Sequence, residues 1–321
     1  MGHILQSAGV VIPIIFVLAF GFWAGKKKFF GTEGNPIHTI NELVLNFALP
    51  PALFVGTVTV SRVKLLEDLP LFFALLACLL LAFTFGFFLT KLLFKRSVIE
   101  SAIAGLAVSF SAGPFYGPAL LGALYGVESG VAVSIISVVI NVFLVPLATI
   151  IIKINLGENS GQRYTIGKLL GESIYQAIVK TPFVWAPLLA FIFVFLNISM
   201  PAVVLHSLEL IGKATAGLAV FVAGMTIAAN KFKITGEVIL IALLKNIGLP
   251  LLFLGVAFIF QMTKGSIVFN EGLLLAALPS GPMIVLLATR YQRYQQQASS
   301  ILAVSTVGML ITVTALVTLL T

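Results

Sequence analysis

Long apolar runs alternate with short polar stretches along the whole chain. Each run holds about 20 residues, which is the length that an α-helix needs to cross roughly 30 Å of hydrocarbon. The pattern therefore predicts an all-α polytopic membrane protein with ten transmembrane helices. Their predicted limits are 7–25, 38–60, 70–92, 98–126, 129–152, 181–198, 207–230, 235–262, 268–290 and 297–320.

Two of the predicted helices, the fourth and the ninth, contain residues that interrupt helices. Residues 109–118 read Ser-Phe-Ser-Ala-Gly-Pro-Phe-Tyr-Gly-Pro, and residues 277–282 read Ala-Leu-Pro-Ser-Gly-Pro. Proline lacks a backbone donor and clashes with the preceding turn, so both motifs predict broken helices. Each motif lies in the fourth helix of its half of the chain, and this match indicates an internal repeat.

The longest polar stretch divides the predicted helices into two groups of five. We expect a first five-helix repeat over 1–155, a cytoplasmic linker loop over 156–180 and a second repeat over 181–321. Because five is an odd number, the two repeats must have opposite orientations in the membrane, as in many transporters with inverted repeats. The broken helices 4 and 9 would then cross near the bilayer midplane.

The composition excludes an ordinary soluble protein. Of the 321 residues, 60% are hydrophobic and 9% are charged, and the mean hydropathy is +1.13, whereas soluble domains are about 25% charged. The isoelectric point of 9.6 does not indicate nucleic-acid binding, because the positive charges are scattered over short loops. Fourteen of the 19 Lys and Arg residues fall in loops after odd-numbered helices. The positive-inside rule places these loops in the cytoplasm, so both termini should face outward from the plasma (inner) membrane.

The two breaks pose a problem in a membrane, because irregular backbone at that depth must be buried in protein or line a watery cavity. They would also present half-helix N-termini, whose free N–H groups and positive dipole ends attract carboxylates. We therefore expect an anion-binding site at the crossing; the alternative is a pair of proline kinks that only help packing. The candidate substrate-binding residues are Ser109, Ser111, Gly113, Pro114, Tyr116 and Gly117 from the first motif and Ser280, Gly281 and Pro282 from the second.

Four further polar residues inside the predicted helices are candidates for the site. Lys245 lies about ten residues into the eighth helix, where a charge usually faces a cavity or a partner. It would neutralise a substrate carboxylate or replace a coupling cation; alternatively, its side chain reaches back to the cytoplasmic surface. Asn46, Asn141 and Asn246 are further candidates for polar contacts with substrate, although such amides often form interhelical hydrogen bonds instead.

The acidic residues and histidines do not lie where catalysis or an ion relay would need them. Asp68 is expected in an outer loop, Glu271 in a loop and Glu237 near a helix edge, so we expect no proton relay through a buried carboxylate pair. The histidines are peripheral, and the sequence contains no Gly-x-x-x-x-Gly-Lys motif for ATP binding. We therefore expect no enzymatic activity, no metal site and no cofactor. Glu209 and Lys213 are four residues apart and are expected to form an ion pair at an outer helix edge.

A set of short motifs occurs in a defined order along the chain. They are Gly-Phe-Trp-Ala-Gly at 21–25, Asn-Phe-Ala-Leu-Pro at 46–50, the two Gly-Pro motifs, and Ala-Val-Ser-Thr-Val at 303–307. In this order and spacing the chain resembles the auxin efflux carrier family, in its bacterial branch, over essentially its whole length. That branch includes carriers of malonate and malate, and the first two motifs look closest to the malonate-type carriers.

The resemblance implies a fold similar to that of the bile acid symporters. It further implies a scaffold of helices 1, 2, 6 and 7, a mobile core of helices 3–5 and 8–10, elevator-type alternating access and a homodimer. The chain departs from the plant members, which carry a long central loop and asparagine-proline pairs at the crossing. Here Ala-Gly-Pro and Ser-Gly-Pro stand at those positions, which speaks against auxin itself as the substrate.

The predicted function is therefore secondary active transport of a small organic anion, a dicarboxylate such as malonate or malate. Two alternatives stay open at this point: a carrier of auxin-like aromatic or other monocarboxylates, and a passive anion channel, which would conduct without saturable counterflow. The residues do not decide whether sodium, protons or no ion drives the transport.

Overall fold

The computed structural model describes residues 2–31, 35–160, 166–229 and 232–320, and within these ranges it contains helices and no β-strand. The first nine helices are α1 (Gly2–Lys26), α2 (Pro36–Leu43), α3 (Leu49–Val58), α4 (Arg62–Glu67), α5 (Leu69–Leu93), α6 (Val98–Ser109), α7 (Gly113–Tyr125), α8 (Gly130–Val138) and α9 (Val145–Ser160). The next nine are α10 (Ile166–Val179), α11 (Pro182–Phe195), α12 (Ala202–Gly212), α13 (Ala214–Ala229), α14 (Gly236–Leu243), α15 (Leu249–Ile259), α16 (Ile267–Ala277), α17 (Met283–Arg290) and α18 (Gln295–Leu320). The all-helical prediction is confirmed.

Six helical stretches in the described part of the chain are long and apolar enough to cross a membrane. They are Pro36–Val58, Arg62–Leu93, Val127–Gly157, Ala202–Ala229, Gly236–Ile259 and Gln295–Leu320. Four shorter apolar helices coincide with the predicted first, fourth, sixth and ninth spans, namely Ile12–Lys26, Val98–Ser109, Pro182–Phe195 and Ile267–Ala277. Each predicted span thus falls on apolar helix, while the number of membrane crossings stays a prediction.

The predicted linker loop over 156–180 is helical over most of its described length. Helix α9 extends to Ser160, and α10 occupies Ile166–Val179. Within α10, Leu169 is buried while Lys168 is exposed, so this helix is amphipathic. The expectation of a loop was wrong because the polar face of a short amphipathic helix lowers the mean hydropathy as much as a loop does.

Three π-helical segments carry the chain through prolines inside long helices. The segments are Val44–Ala48, Val139–Leu144 and Leu244–Gly248, and each leads into an α-helix whose second residue is proline. Proline has no N–H, and its ring clashes with the carbonyl of the residue four positions earlier. A π-helical turn is wider than an α-helical turn and relieves this clash, so Pro50 and Pro250 do not end their helices.

Glycines form the closest contacts between helices. Helix α1 packs along α13, and a Cβ atom added at Gly21 or Gly224 would collide with the backbone of the other helix. Helices α3 and α8 meet at Gly56 and Gly130, where a Cβ on Gly130 would lie 2.6 Å from the Cα of Gly56. Small residues at such contacts let helix backbones approach closely, which is a main source of helix association in lipid.

An ion-pair cluster joins the start of α14 to two connections between helices. Arg96, between α5 and α6, donates from Nε and Nη2 to the Glu237 carboxylate, with the shortest contact at 2.6 Å. Tyr294 donates its hydroxyl proton to the same carboxylate at 2.7 Å. The hydrogen bonds to Glu237 raise the pKa of the Arg96 guanidinium, which therefore stays charged at physiological pH. Glu237 lies in the first turn of α14, as expected from the sequence, but it is buried.

We predict that Gly130→Leu lowers the thermal stability of the purified protein, because the new side chain would meet the α3 backbone at Gly56. Overpacking of this kind costs about 1–3 kcal/mol or more. Gly255→Leu is the matched control, since a Cβ at Gly255 has no neighbour within 4 Å. Melting temperatures in detergent, followed by size-exclusion chromatography after heating, measure the difference. Equal melting temperatures for the two variants would show that this contact does not limit stability.

Candidate functional site

The two predicted breaks lie against each other in the fold. The first interruption covers residues 110–112, between α6 and α7, and the second covers residues 278–282, between α16 and α17. Ser111 and Ser280 form an isolated antiparallel bridge. The Ala112 N–H donates to the Pro279 carbonyl at 2.9 Å. The irregular backbone of each segment is thus paired with that of the other.

The first break is shorter than the sequence predicted. Gly113 and Pro114 open α7 instead of lying in the interruption, and Gly117 and Pro118 lie within this helix. Proline is tolerated in the first turn because its missing N–H would have no partner there in any case. The break therefore arises at Phe110–Ala112, immediately before the Gly-Pro pair.

The two serines at the crossing exchange hydrogen bonds with the opposite half-helix. Ser111 Oγ donates to the Leu275 carbonyl near the C-terminus of α16, and Ser280 Oγ donates to the Ala107 carbonyl near the C-terminus of α6, at 2.6 Å. The last carbonyls of a helix have no partner within the helix, so these serines satisfy part of that need. Ser109 instead donates to the Gly105 carbonyl of its own helix at 2.9 Å.

Three predicted site glycines allow close packing around the crossing. A Cβ on Gly281 would collide with the Phe110 ring, and a Cβ on Gly113 would lie 2.6 Å from a methyl carbon of Ile136. A Cβ on Gly117 would lie 2.8 Å from Val133. These glycines lie against apolar side chains of neighbouring elements. In the described structure they therefore allow the two interrupted helices to pack closely.

The N-termini of α7 and α17 face one small cavity. Their N-cap residues, Ala112 and Pro282, both line it, together with Tyr116 and Ser280. The cavity has a volume of about 30 Å³, close to the volume of one water molecule in the liquid and far below the roughly 300 Å³ of the smallest common ligand pockets. The positive ends of two helix dipoles thus converge on a site that is closed in this conformation.

Polar side chains from distant helices complete the cavity lining. Asn41 of α2, Thr226 of α13 and Thr306 of α18 all contribute to it. The Tyr116 hydroxyl is buried and forms no hydrogen bond within the described part of the chain. Its polar neighbour is Thr306, whose own hydroxyl donates to the Leu302 carbonyl at 2.7 Å. Sequence reasoning missed Asn41, Thr226 and Thr306, because the sequence does not show which neighbouring helix a polar side chain faces.

Lys245 is fully buried in the π-helical segment before α15. Its Nζ donates to the carbonyl of Ala276 at 3.0 Å, close to the C-terminus of α16. A cation is favoured there, because the C-terminal end of a helix dipole is negative. The alternative in which the side chain reaches back to the surface is wrong for this conformation. Lys245 does not line the small cavity.

The three candidate asparagines lie one in each π-helical segment, and the structure does not bring them together. Asn46 is exposed. Asn141 donates to the Ser137 carbonyl of its own helical stretch at 2.8 Å, and Asn246 donates to the Ser305 carbonyl of α18 at 2.8 Å. Asn246 thus forms an interhelical bond, whereas the hydrogen bond of Asn141 stays within its own helical stretch. None of the three lines the small cavity.

Two carboxyl groups are more buried than the sequence suggested. Glu271 lies in α16 rather than in a loop and is 4% exposed, because the helix begins at Ile267 after its N-cap Ser266. Asp68 lies at the junction of α4 and α5 and is 1% exposed. Lys64 Nζ lies 3.2 Å from Asp68 Oδ1. The two acids lie outside the lining of the small cavity.

A larger cavity of about 340 Å³ lies between α3, α8 and the α12–α13 junction. Pro118 and Gly122 of α7 also line it, and its other lining residues are mostly small. Glu209 and Lys213 lie at this cavity and form the expected ion pair, with 3.0 Å between Lys213 Nζ and Glu209 Oε1.

A family model described as a membrane transport protein matches residues 7–317. The chain belongs to this family. The match confirms the auxin efflux carrier family that the motifs indicated. The protein is therefore a multi-pass membrane transporter, which agrees with the expectation of a protein that is not an enzyme.

Curated relatives are bacterial transporters and align over nearly the full length of this chain. "Uncharacterized transporter YfdV" from Escherichia coli (strain K12) is 31% identical over 306 residues, covering 95% of this chain and 94% of the relative. "Putative malonate transporter" from Rhizobium meliloti (strain 1021) is 23% identical over 316 residues, covering 98% of this chain and 96% of the relative.

We predict that Ser280→Ala destabilises the protein, because the buried Ala107 carbonyl would lose its donor at the crossing. Leaving a buried acceptor unsatisfied costs about 1–3 kcal/mol. Ser207→Ala is the control, since Ser207 is exposed on α12 and its hydroxyl bonds only to Val203 of the same helix. Melting temperatures of the purified variants check the prediction. A Ser280→Ala protein as stable as the Ser207→Ala protein would contradict it.

Proposed function

We propose that this transporter carries a small organic anion, a dicarboxylate such as malonate or malate, by secondary active transport. The observation that carries the proposal is the convergence of the α7 and α17 N-termini on one cavity, with Ala112 and Pro282 both in its lining. Two positive helix ends suit a substrate with two carboxylates. The relative named "Putative malonate transporter" supports the same substrate class. Tyr116 and Ser280 would orient the substrate through their hydroxyl groups.

The proposal includes ten membrane-spanning helices in two inverted five-helix repeats. The reciprocal hydrogen bonds of Ser111 and Ser280 support it, because each serine bonds near the C-terminus of the half-helix in the other repeat. A pseudo-twofold axis through the crossing would produce this exchange. The distribution of basic residues supports a topology with both termini outside. A homodimer is carried over from the family resemblance.

Elevator-type movement would open the closed cavity. The cavity lies between the proposed core, which supplies Tyr116 and Thr306, and the proposed scaffold, which supplies Asn41. A displacement of the core along the scaffold would therefore widen it. In this conformation core and scaffold are held together by the hydrogen bond between the Thr57 and Ser134 hydroxyl groups, at 2.7 Å. The 340 Å³ cavity also lies between helices of the proposed core and scaffold, and it would form part of the substrate path to the outer side.

Lys245 would supply a positive charge beside the second interruption, at the C-terminus of α16. Of the two functions considered from the sequence, replacement of a coupling cation is better supported than contact with a substrate carboxylate, because the ammonium bonds to Ala276 and lies outside the cavity lining. A positive charge at this depth would offset the negative end of α16 and the charge of a bound anion.

We predict saturable counterflow of labelled malonate in proteoliposomes preloaded with unlabelled malonate. A carrier exchanges substrate through an alternating site, so label accumulates transiently, and malate should compete. Liposomes without protein are the control. Flux without transient accumulation would indicate a channel. Counterflow with indole-3-acetate or other monocarboxylates but not with malonate would reassign the substrate class and contradict the dicarboxylate proposal.

We predict that Lys245→Met abolishes this counterflow while the protein still purifies as a folded species. Methionine has a similar length but carries no charge, so the C-terminus of α16 loses its cation. Lys264→Met is the matched control and should retain transport, because Lys264 is exposed between α15 and α16 and lines neither the small cavity nor the 340 Å³ cavity. Full counterflow by Lys245→Met would remove Lys245 from the mechanism.

A further inference from the structure

An apolar groove with a volume of about 370 Å³ opens on the surface of the fold. It lies between α5 and α8 on one side and α10 and α11 on the other. Its walls carry five phenylalanine rings, and the rings are Phe72, Phe73, Phe143, Phe191 and Phe195. The proposed core contributes α5 and α8 and the proposed scaffold contributes α11, so the groove follows the seam between them.

The groove extends over a large part of one bilayer leaflet. Along the α11 wall its lining extends from Leu188 to Phe195, which is seven steps or about 10 Å at 1.5 Å per residue. Half of a hydrocarbon core is about 15 Å thick. An acyl chain that enters from the adjacent leaflet would therefore fill the groove along its length.

The polar end of the groove carries an available positive charge. The Arg62 guanidinium lies 6.0 Å from the centre of the Phe195 ring, which lines the groove. Arg62 is exposed, and within the described residues no carboxylate lies within 4.0 Å of it. Asp68 is the acidic residue of the lining, and its carboxylate is buried and paired with Lys64 at 3.2 Å. The mouth of the groove is thus suited to an anionic head group.

We propose that this groove is a binding site for one glycerophospholipid, with an acyl chain between α5 and α11 and its anionic head group on Arg62. Arginine pairs with phosphate through two parallel N–H donors, which fixes the head group at the mouth. Apolar walls favour the acyl chain over any polar ligand. Because the groove lies at the seam between α5–α8 and α10–α11, the bound lipid stabilises the arrangement of these helices seen in the structure.

Native mass spectrometry of the purified full chain tests the proposal. Phosphatidylglycerol and phosphatidylcholine with identical acyl chains are added at equal concentrations, and retained adducts are counted. One arginine near a lipid surface predicts a preference of about five-fold for the anionic lipid. Arg62→Gln should remove this preference, whereas Lys264→Gln, which removes another basic residue of the predicted outer loops, should keep it. A preference that survives in Arg62→Gln overturns the assignment of the head-group site.

A second variant tests the acyl-chain site independently. Val142 lies in the groove wall and is partly exposed, so Val142→Trp should fill the groove and reduce retention of both lipids. Leu251→Trp, on the exposed face of α15, is the control for adding a tryptophan to a lipid-facing surface. Unchanged lipid retention in Val142→Trp overturns the proposal, because a filled groove would then hold no less lipid than an open one.

Discussion

The fold depends on one constraint, which is that two interrupted helices must satisfy their backbone groups without water. Free N–H and C=O groups in lipid cost several kcal/mol each. In this chain the two interruptions solve the problem jointly, through the bridge between Ser111 and Ser280 and the bond from Ala112 to Pro279. Neither segment would be tolerated alone, so the crossing forces the two halves of the chain to fold against each other.

The chemistry of the site follows from the same crossing. The C-termini of α6 and α16 meet at the crossing, and the hydroxyl groups of Ser111 and Ser280 and the Nζ of Lys245 donate hydrogen bonds to their carbonyls. The N-termini of the other pair remain directed at the small cavity, where Tyr116 keeps an unused hydroxyl. The arrangement separates the two ends of the helix dipoles, so that the positive ends face the cavity. This polarity is the basis of the proposed anionic substrate.

The closed cavity and the tight α3–α8 contact are two aspects of one conformation. Gly56 and Gly130 bring the backbones together, and the Thr57–Ser134 hydrogen bond holds them at that distance. A hydroxyl pair is a weak bond compared with an ion pair, so it would be a small obstacle to the proposed elevator movement. By contrast, the Arg96–Glu237–Tyr294 cluster joins elements of the proposed core through charged groups, which suits parts that move as one body.

The sequence by itself determined the helical class, the positions of the apolar helices, the family and the two interruptions, because these features depend on local composition and on the covalent limits of proline. It did not place the buried acid Glu271, nor did it identify Asn41 and Thr306 as part of the cavity. It also did not show whether the Lys245 side chain is buried or reaches back to the surface. Only the tertiary structure decided these points, because which side chains face each other depends on the rotation and close approach of whole helices. Those are set by glycine contacts between residues far apart in the chain, such as Gly56 and Gly130.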